Sequence, residues 1–194
     1  MKTDYRTVRV EIKEGVAILK LNNPPVNQLS EPFVREMADA IMEAFQDQAI
    51  RAVILTGTGK NFIAGADITE IKGVTDREHL FPRVMENNRF LNTIEDGPKP
   101  VIAAINGHCL GGGLEIAMAC HYRIAAQGAQ VGQPEVQIGL IPGAGGTQRL
   151  PRLVGLPDAF QMIMTGKAIP AEQGMEKGCI DEVVQQESLL EKAL

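Results

Sequence analysis

Two glutamates, Glu115 and Glu135, sit in weakly charged, glycine-rich stretches where a solvated face would carry more charge. Glu115 closes the run Ile105-Asn-Gly-His-Cys-Leu-Gly-Gly-Gly-Leu-Glu115. Three glycines there open a helix after a buried strand. The first N–H groups of a helix have no internal acceptor, and its dipole adds partial positive charge at that end. Such a turn suits a developing oxyanion, and a glutamate one turn in projects toward the same place. Taken alone, Glu115 reads more readily as a residue that caps the helix or complements its dipole than as a catalyst. Glu135 lies in Val131-Gly-Gln-Pro-Glu-Val-Gln-Ile138, flanked by Pro134 and Val136. Its bland reading is a structural carboxylate that accepts loop N–H groups. Its chemical reading is a carboxyl of altered acidity, suited to general acid–base work.

A third segment, Asn61-Phe-Ile-Ala-Gly-Ala-Asp-Ile68, follows a buried strand. The small residues Ala64, Gly65 and Ala66 would leave the Ala66 N–H accessible, and Asp67 is a good helix-starting residue. Together the three segments hold two acids and two sets of accessible N–H groups. Other chemistries lack their residues. The chain has two serines, Ser30 and Ser188, and neither stands in a G-x-S-x-G elbow. There is no phosphate-binding G-x-x-x-x-G-K-[ST] and no G-x-G-x-x-G after a strand. Cys109 and Cys120 adjoin His108 and His121 at a spacing that matches no zinc pattern, so no metal site is expected.

The elements that must position these groups read as alternating strands and helices. Thr7–Ile12 and Val16–Leu21 form a hairpin around Lys13-Glu14-Gly15. Ser30 precedes a helix to about Gln48, with Phe33, Val34, Met37, Ile41 and Phe45 at helical spacing. Ala52–Leu55, Val101–Ile105 and Tyr122–Ala126 are short apolar runs of the kind buried on both faces. Helices are expected over Arg77–Glu95, Leu114–Cys120, Thr147–Leu153, Asp158–Thr165 and Ala171–Lys177, with a strand near Ile180–Val184. The class is α/β in a single domain spanning residues 1–194, with no internal sequence repeat.

Composition agrees: 194 residues, 44% hydrophobic and 22% charged, with net charge −5. No run of basic residues would draw a nucleic-acid backbone. The three cysteines suggest a reducing, cytoplasmic setting rather than a disulfide framework. No apolar stretch has the length of a signal or membrane-spanning segment.

The segments Asn23-Pro-Pro-Val-Asn27, Phe62–Ile68, Asn106-Gly with Leu110–Glu115, Gly132-Gln-Pro-Glu135 and Gly139–Leu150 occur in order. Together they closely resemble the crotonase (enoyl-CoA hydratase/isomerase) superfamily, over about residues 5–185. The resemblance implies a spiral of ββα units, a homotrimer or hexamer, and a C-terminal helical region that is shortened or missing here. It implies that the Ala66 and Gly112 N–H groups form an oxyanion hole for an acyl-CoA thioester, with Glu115 and Glu135 as catalytic acids. Pro25, Val26, Asn27, Ala64, Ala66, Asp67, Ile68, Thr69 and Gly112 would line the CoA path. Coenzyme A enters as part of the substrate and no separate cofactor is implied. The implied activity is hydration of a trans-2-enoyl-CoA. The alternatives are a Δ3-Δ2-enoyl-CoA isomerase and a non-catalytic binding protein on the same fold. The stretch Ala119–Ile124 is also similar to the hydratase portion of multifunctional fatty-acid oxidation proteins.

Overall fold

The computed structural model describes residues 1–3, 5–67 and 77–194. The expected hairpin forms from β1 (Val8–Lys13) and β2 (Val16–Leu21), with Lys13 facing Val16. Glu14 and Gly15 both take positive φ, 52° and 77°, as a two-residue turn matched to strand twist requires. Ser30 stands at the N-cap of α1 (Glu31–Gln46), but its side chain makes no cap hydrogen bond. The helix buries Phe33, Met37, Ala40, Ile41, Ala44 and Phe45, the face expected from their spacing.

The three apolar runs become β3 (Ala52–Gly57), β5 (Val101–Ile105) and β7 (Tyr122–Ala126). They pair in parallel, each with the next. With β1, β2 and β10 (Glu182–Val184) they complete a six-stranded sheet in the order β1-β2-β3-β5-β7-β10. Both faces are covered, as continuous apolar runs demand. Val53 and Leu55 face one core, while Ile54 points to the other beside Ala104 and Ile124. A short helix absent from the sequence reading, Leu189–Ala193, closes that second face with Leu189.

A second sheet lies in stretches read from the sequence as loops. It consists of β4 (Asn61–Ala64), β6 (His108–Leu110), β8 (Gln130–Gly132) and the two-residue β9 (Ile169–Pro170). Strands of two to four residues carry too little alternation to be legible by period. The helix α2 (Arg77–Glu95) follows β4, α3 (Gly112–Ala119) follows β6, and a 3-10 turn at Pro134–Ile138 follows β8. The chain therefore visits the first sheet, the second sheet and a helix three times, moving one strand along each sheet per turn. This is a spiral of ββα units, built without any repeat in the sequence. Helices α4 (Gly146–Val154), α5 (Leu156–Thr165) and α6 (Ala171–Lys177) complete the described chain before β10. No helix among the described residues is long and apolar enough to cross a membrane.

Asn27 ties the first loop to the second sheet. It is buried with φ of 56°, and its amide donates to the carbonyls of Asn61 (3.0 Å) and Phe62 (3.1 Å). Its Oδ1 accepts the Asn23 N–H at 2.8 Å. Removing the amide strands these groups away from water, at a cost of about 1–3 kcal/mol. Asn27→Ala should therefore lower the unfolding free energy by about 2–3 kcal/mol, read as a reduced denaturant midpoint at unchanged slope.

Candidate active site

The site sits at the carboxyl ends of β4, β6 and β8, where α/β sheets characteristically bind ligands. Pairing fixes its layout. Ala64 faces Leu110 across β4 and β6, and Leu110 faces Gly132 across β6 and β8. Ala66 and Gly112 each lie two residues beyond that common level, on adjacent strands. Glu135 lies three residues beyond it on the third.

Ala66 forms an isolated parallel bridge with Leu29. The bridge uses the Leu29 N–H to the Gly65 carbonyl (2.9 Å) and the Asp67 N–H to the Leu29 carbonyl (3.0 Å). The Ala66 N–H therefore points to the opposite side, and Ala66 is exposed. Gly112 is the first residue of α3, so its N–H has no acceptor within the helix. Between the two strands Gly111 adopts φ 54° and ψ −126°, a conformation open only to glycine. A Cβ there would stand 2.9 Å from Glu135 Oε1 and 3.7 Å from the Gly65 Cα. The turn is thus pressed between the second acid and the neighbouring strand end. Gly113 is equally constrained, since a Cβ would meet the Ile63 carbonyl oxygen at 2.4 Å. Glycine here lets α3 lie directly against β4.

Glu115 is 3% exposed, yet it is not left as an uncompensated charge. Its Oε1 accepts the N–H groups of Ala144 (2.8 Å) and Gly146 (2.7 Å). It is therefore a carboxylate held from outside its own helix rather than a helix cap. Its Oε2 faces Gly112, 3.9 Å from where a Cβ would stand. Burial raises its pKa, while the Gly146 and Ala144 N–H groups and the positive charge of Arg149 act the other way. Glu135 is half-buried in the 3-10 turn. Burial pushes its pKa to about 7, its own N–H acts to lower it, and the negative charge of Glu115 raises it further. Gln133 is fully buried, and with its amide nitrogen turned toward Glu135 it donates to both carboxylate oxygens at 3.0 Å. The two acid systems meet at Gly146, where a Cβ would sit 2.8 Å from the Gln133 amide and 2.9 Å from Glu115 Oε1.

The remaining expected site residues are distributed unevenly. Pro25 is exposed, the Val26 carbonyl accepts the Ala64 N–H at 3.2 Å, and Asn27 is buried in the bonds described above. Asp67 accepts from Gln28 Nε2 at 2.8 Å. Ile68 and Thr69 lie outside the described residues. The sequence reading missed the Ala144 and Gly146 donors, although the Gly143–Gly146 cluster marked the place. It also gave no role to Gln133, two residues before Glu135. The assembled site offers two carboxyl groups in different surroundings and, on the turns that follow two neighbouring strands, two N–H groups with no acceptor among the described residues. That set can stabilise an oxyanion while moving protons at a neighbouring carbon.

A model of the enoyl-CoA hydratase/isomerase family matches residues 11–194. Over 187 residues the chain is 40% identical to a probable enoyl-CoA hydratase of Bacillus subtilis (strain 168), covering 96% of this chain and 72% of that protein. It is 44% identical over 175 residues to a peroxisomal bifunctional enzyme of Danio rerio, covering 90% of this chain and 23% of that protein. The chain thus spans about a quarter of the length of the multifunctional relatives it matches. Among solved structures, an enoyl-CoA hydratase from Bacillus anthracis superposes with a TM-score of 0.90 at 40% identity, over 97% of this chain and 74% of that one. A Geobacillus kaustophilus HTA426 enoyl-CoA hydratase structure gives 0.93 at 33% identity, over 98% and 72%. The family match over nearly the whole chain agrees with the spiral and with the segments that carry the resemblance, and the chain belongs to the enoyl-CoA hydratase/isomerase family.

Proposed function

We propose that the chain is an enoyl-CoA hydratase, converting a trans-2-enoyl-CoA to a 3-hydroxyacyl-CoA in fatty-acid β-oxidation or related acyl-CoA metabolism. One observation carries this reading: two carboxyl groups of different environment lie beside the two adjacent turns that present the Ala66 and Gly112 N–H groups. The thioester carbonyl would accept from both N–H groups. Pro25, Val26, Asn27, Ala64 and Asp67, with Ile68 and Thr69, would line the CoA path. Coenzyme A is part of the substrate, and the chemistry needs no further cofactor.

The environments divide the roles. Burial raises the pKa of Glu115, and two N–H donors and a nearby guanidinium oppose that rise by favouring the carboxylate, which suits the base. Burial pushes the pKa of Glu135 up to about 7, so a substantial fraction carries a proton near neutrality, which suits the acid. Water loses a proton to Glu115 as its oxygen bonds to C3. The double-bond electrons move toward the thioester, whose oxygen takes negative charge between the two N–H groups. Glu135 then delivers its proton to C2 and the carbonyl reforms. Glu115 ends protonated and Glu135 ionised, and proton exchange through solvent resets both. A Glu135 that titrates near neutrality is also competent to move a proton along an allylic system, which supports Δ3-Δ2 isomerisation as a side activity. Comparing 3-enoyl with 2-enoyl substrates separates the two.

The oligomer belongs to the same reading. Leu156, Phe160 and Met164 recur every four residues on α5 and are exposed, which supports a homotrimer or a hexamer burying that row. The buried thiols of Cys109, Cys120 and Cys179 fit a reducing, cytoplasmic setting.

Loss of enoyl-thioester absorbance from crotonyl-CoA tests the reaction directly. Glu115→Gln and Glu135→Gln should each lower kcat by about 10²–10⁴-fold, the range for a positioned acid or base. Wild-type rates in either variant would refute the two-acid mechanism. The kcat/KM profile should be bell-shaped, falling above about 7 as Glu135 loses its proton. Glu115→Gln removes a negative neighbour, so the Glu135 midpoint followed by carboxyl carbon-13 NMR should move down.

The folded-state pKa of Glu135 lies above the ordinary carboxyl value of 4.5. Its contribution to stability is therefore full below about 4.5 and is lost as pH rises through about 7. Glu135→Gln should flatten that fall in urea-unfolding free energy between about pH 4.5 and pH 7.

A further inference from the structure

The donors that hold Glu115 belong to a loop rather than to a rigid element. In Gly143-Ala144-Gly145-Gly146 three of four residues are glycine, so the segment has little stiffness of its own. Its order comes from α2. The peptide joining Gly143 to Ala144 is gripped at both ends: Asn88 Nδ2 donates to the Gly143 carbonyl at 3.0 Å, and the Ala144 N–H donates to Glu115 at 2.8 Å. The next carbonyl, that of Ala144, accepts from Arg149 Nη1 at 3.2 Å. The Gly145 carbonyl accepts the N–H groups of Gln148 (2.9 Å) and Arg149 (2.8 Å), at the far end of the peptide whose N–H reaches Glu115.

The Arg149 side chain is itself fixed. Nε and Nη2 donate to Glu95 Oε2 at 3.0 and 2.7 Å, and Nη2 also donates to Asn92 Oδ1 at 2.9 Å. Asn88, Asn92 and Glu95 follow one face of α2 at helical spacing. Gly145 sits against the guanidinium with φ of 96°, where a Cβ would fall 2.3 Å from Nη1. The Arg149 side chain is 10% exposed while that of Glu95 is 51% exposed. An ion pair open to solvent on one side adds little to stability, so the pair alone does not account for a guanidinium that spends its donors on both a helix and a loop.

We propose that Arg149 is a positioning residue for Glu115: docked on Asn92 and Glu95, it pins the Ala144 carbonyl and so aims the two N–H groups that hold the Glu115 carboxylate. This role deepens the two-acid reading above and rests on it. Two effects follow from the geometry. Without the guanidinium the loop loses its anchor to α2, and the Ala144 and Gly146 donors no longer share one target. The site also loses a positive charge that favours the ionised form of Glu115 against burial. The charged groups that bear on this balance are Glu135 from the 3-10 turn, Arg149 from α4 and Glu95 from α2.

Arg149→Met keeps the length of the side chain and removes its donors and charge. It should lower kcat for crotonyl-CoA hydration by about tenfold to a hundredfold, the scale of a small misplacement of a reacting group, with KM little changed. Its acidic pH–kcat limb should move upward, because loss of a positive neighbour favours the protonated Glu115. Arg149→Lys restores the charge but not the planar fork, so it should return the pH limb toward wild type with only partial recovery of kcat.

A readout without substrate is the carbon-13 titration of the Glu115 carboxyl, assigned by its loss in Glu115→Gln. Its midpoint should rise in Arg149→Met. If Arg149→Met does not fold, Asn88→Ala and Asn92→Ala, which loosen the same anchor without changing charge, should shift the same two readouts in the same direction by less. A folded Arg149→Met protein with an unchanged Glu115 midpoint overturns the role, whatever its activity. A wild-type protein inert toward every 2-enoyl-CoA defeats the hydratase reading, while the titration still decides the role of Arg149.

Discussion

Leu110 pairs with Ala64 on one side and with Gly132 on the other, and this double pairing sets the position of every group at the site. Parallel strands in register end at one level. The residues just past that level therefore converge, and here they are Ala66, Gly112 and Glu135. A slip of one residue in β6 would turn each side chain to the opposite face and remove the Gly112 N–H from beside that of Ala66. The isolated bridge between Leu29 and Ala66 does the same work on the outer side. It consumes the Gly65 carbonyl and the Asp67 N–H, on either side of Ala66, and leaves the N–H of Ala66 itself turned the other way.

Burying Glu115 and Glu135 close together is costly for two anions, and the structure meets that cost differently for each. Burial raises the pKa of Glu115, and two backbone N–H donors and a guanidinium charge work against that rise. Glu135 is desolvated without a cation beside it among the described residues and has the like charge of Glu115 nearby, which together push its pKa up to about 7. The proposed division of base and acid between two identical side chains would then be set by their surroundings. The glycines of the Gly111–Gly113 turn serve the same end, since a Cβ at Gly111 would push into Glu135 Oε1.

Much of the first sheet was legible in the sequence. Ala52–Leu55, Val101–Ile105 and Tyr122–Ala126 are continuous apolar runs, and such runs have few homes other than a strand covered on both faces. The second sheet was not legible, because His108–Leu110 and Gln130–Gly132 are three residues each and their partners lie more than twenty residues away. Glu115 and Glu135 stood out by type and setting, but spacing could not distinguish a helix cap from a carboxylate bound elsewhere. The difference lies in the Ala144 and Gly146 N–H groups, thirty residues along the chain. Arg149 carried no signal at all, since an arginine on a short amphipathic helix usually faces solvent. Only the packing of α2 against the loop reveals its contacts.

The absence of a sequence repeat beneath a threefold structural repeat has a chemical reason. Each turn of the spiral ends at the same level and delivers one contribution there. The first delivers the Ala66 N–H. The second delivers the Gly112 N–H and, one helical turn later, Glu115. The third delivers Glu135, through a 3-10 turn rather than a full helix, which leaves the carboxyl at the edge of the site instead of burying it under a helix. Had the three turns shared one sequence, they would have presented three equal groups, either three N–H donors or three carboxylates of like acidity. The proposed proton transfer with charge stabilisation needs unequal groups at one place. The backbone pairing repeats because it sets position, and the residues past each strand end differ because they set chemistry.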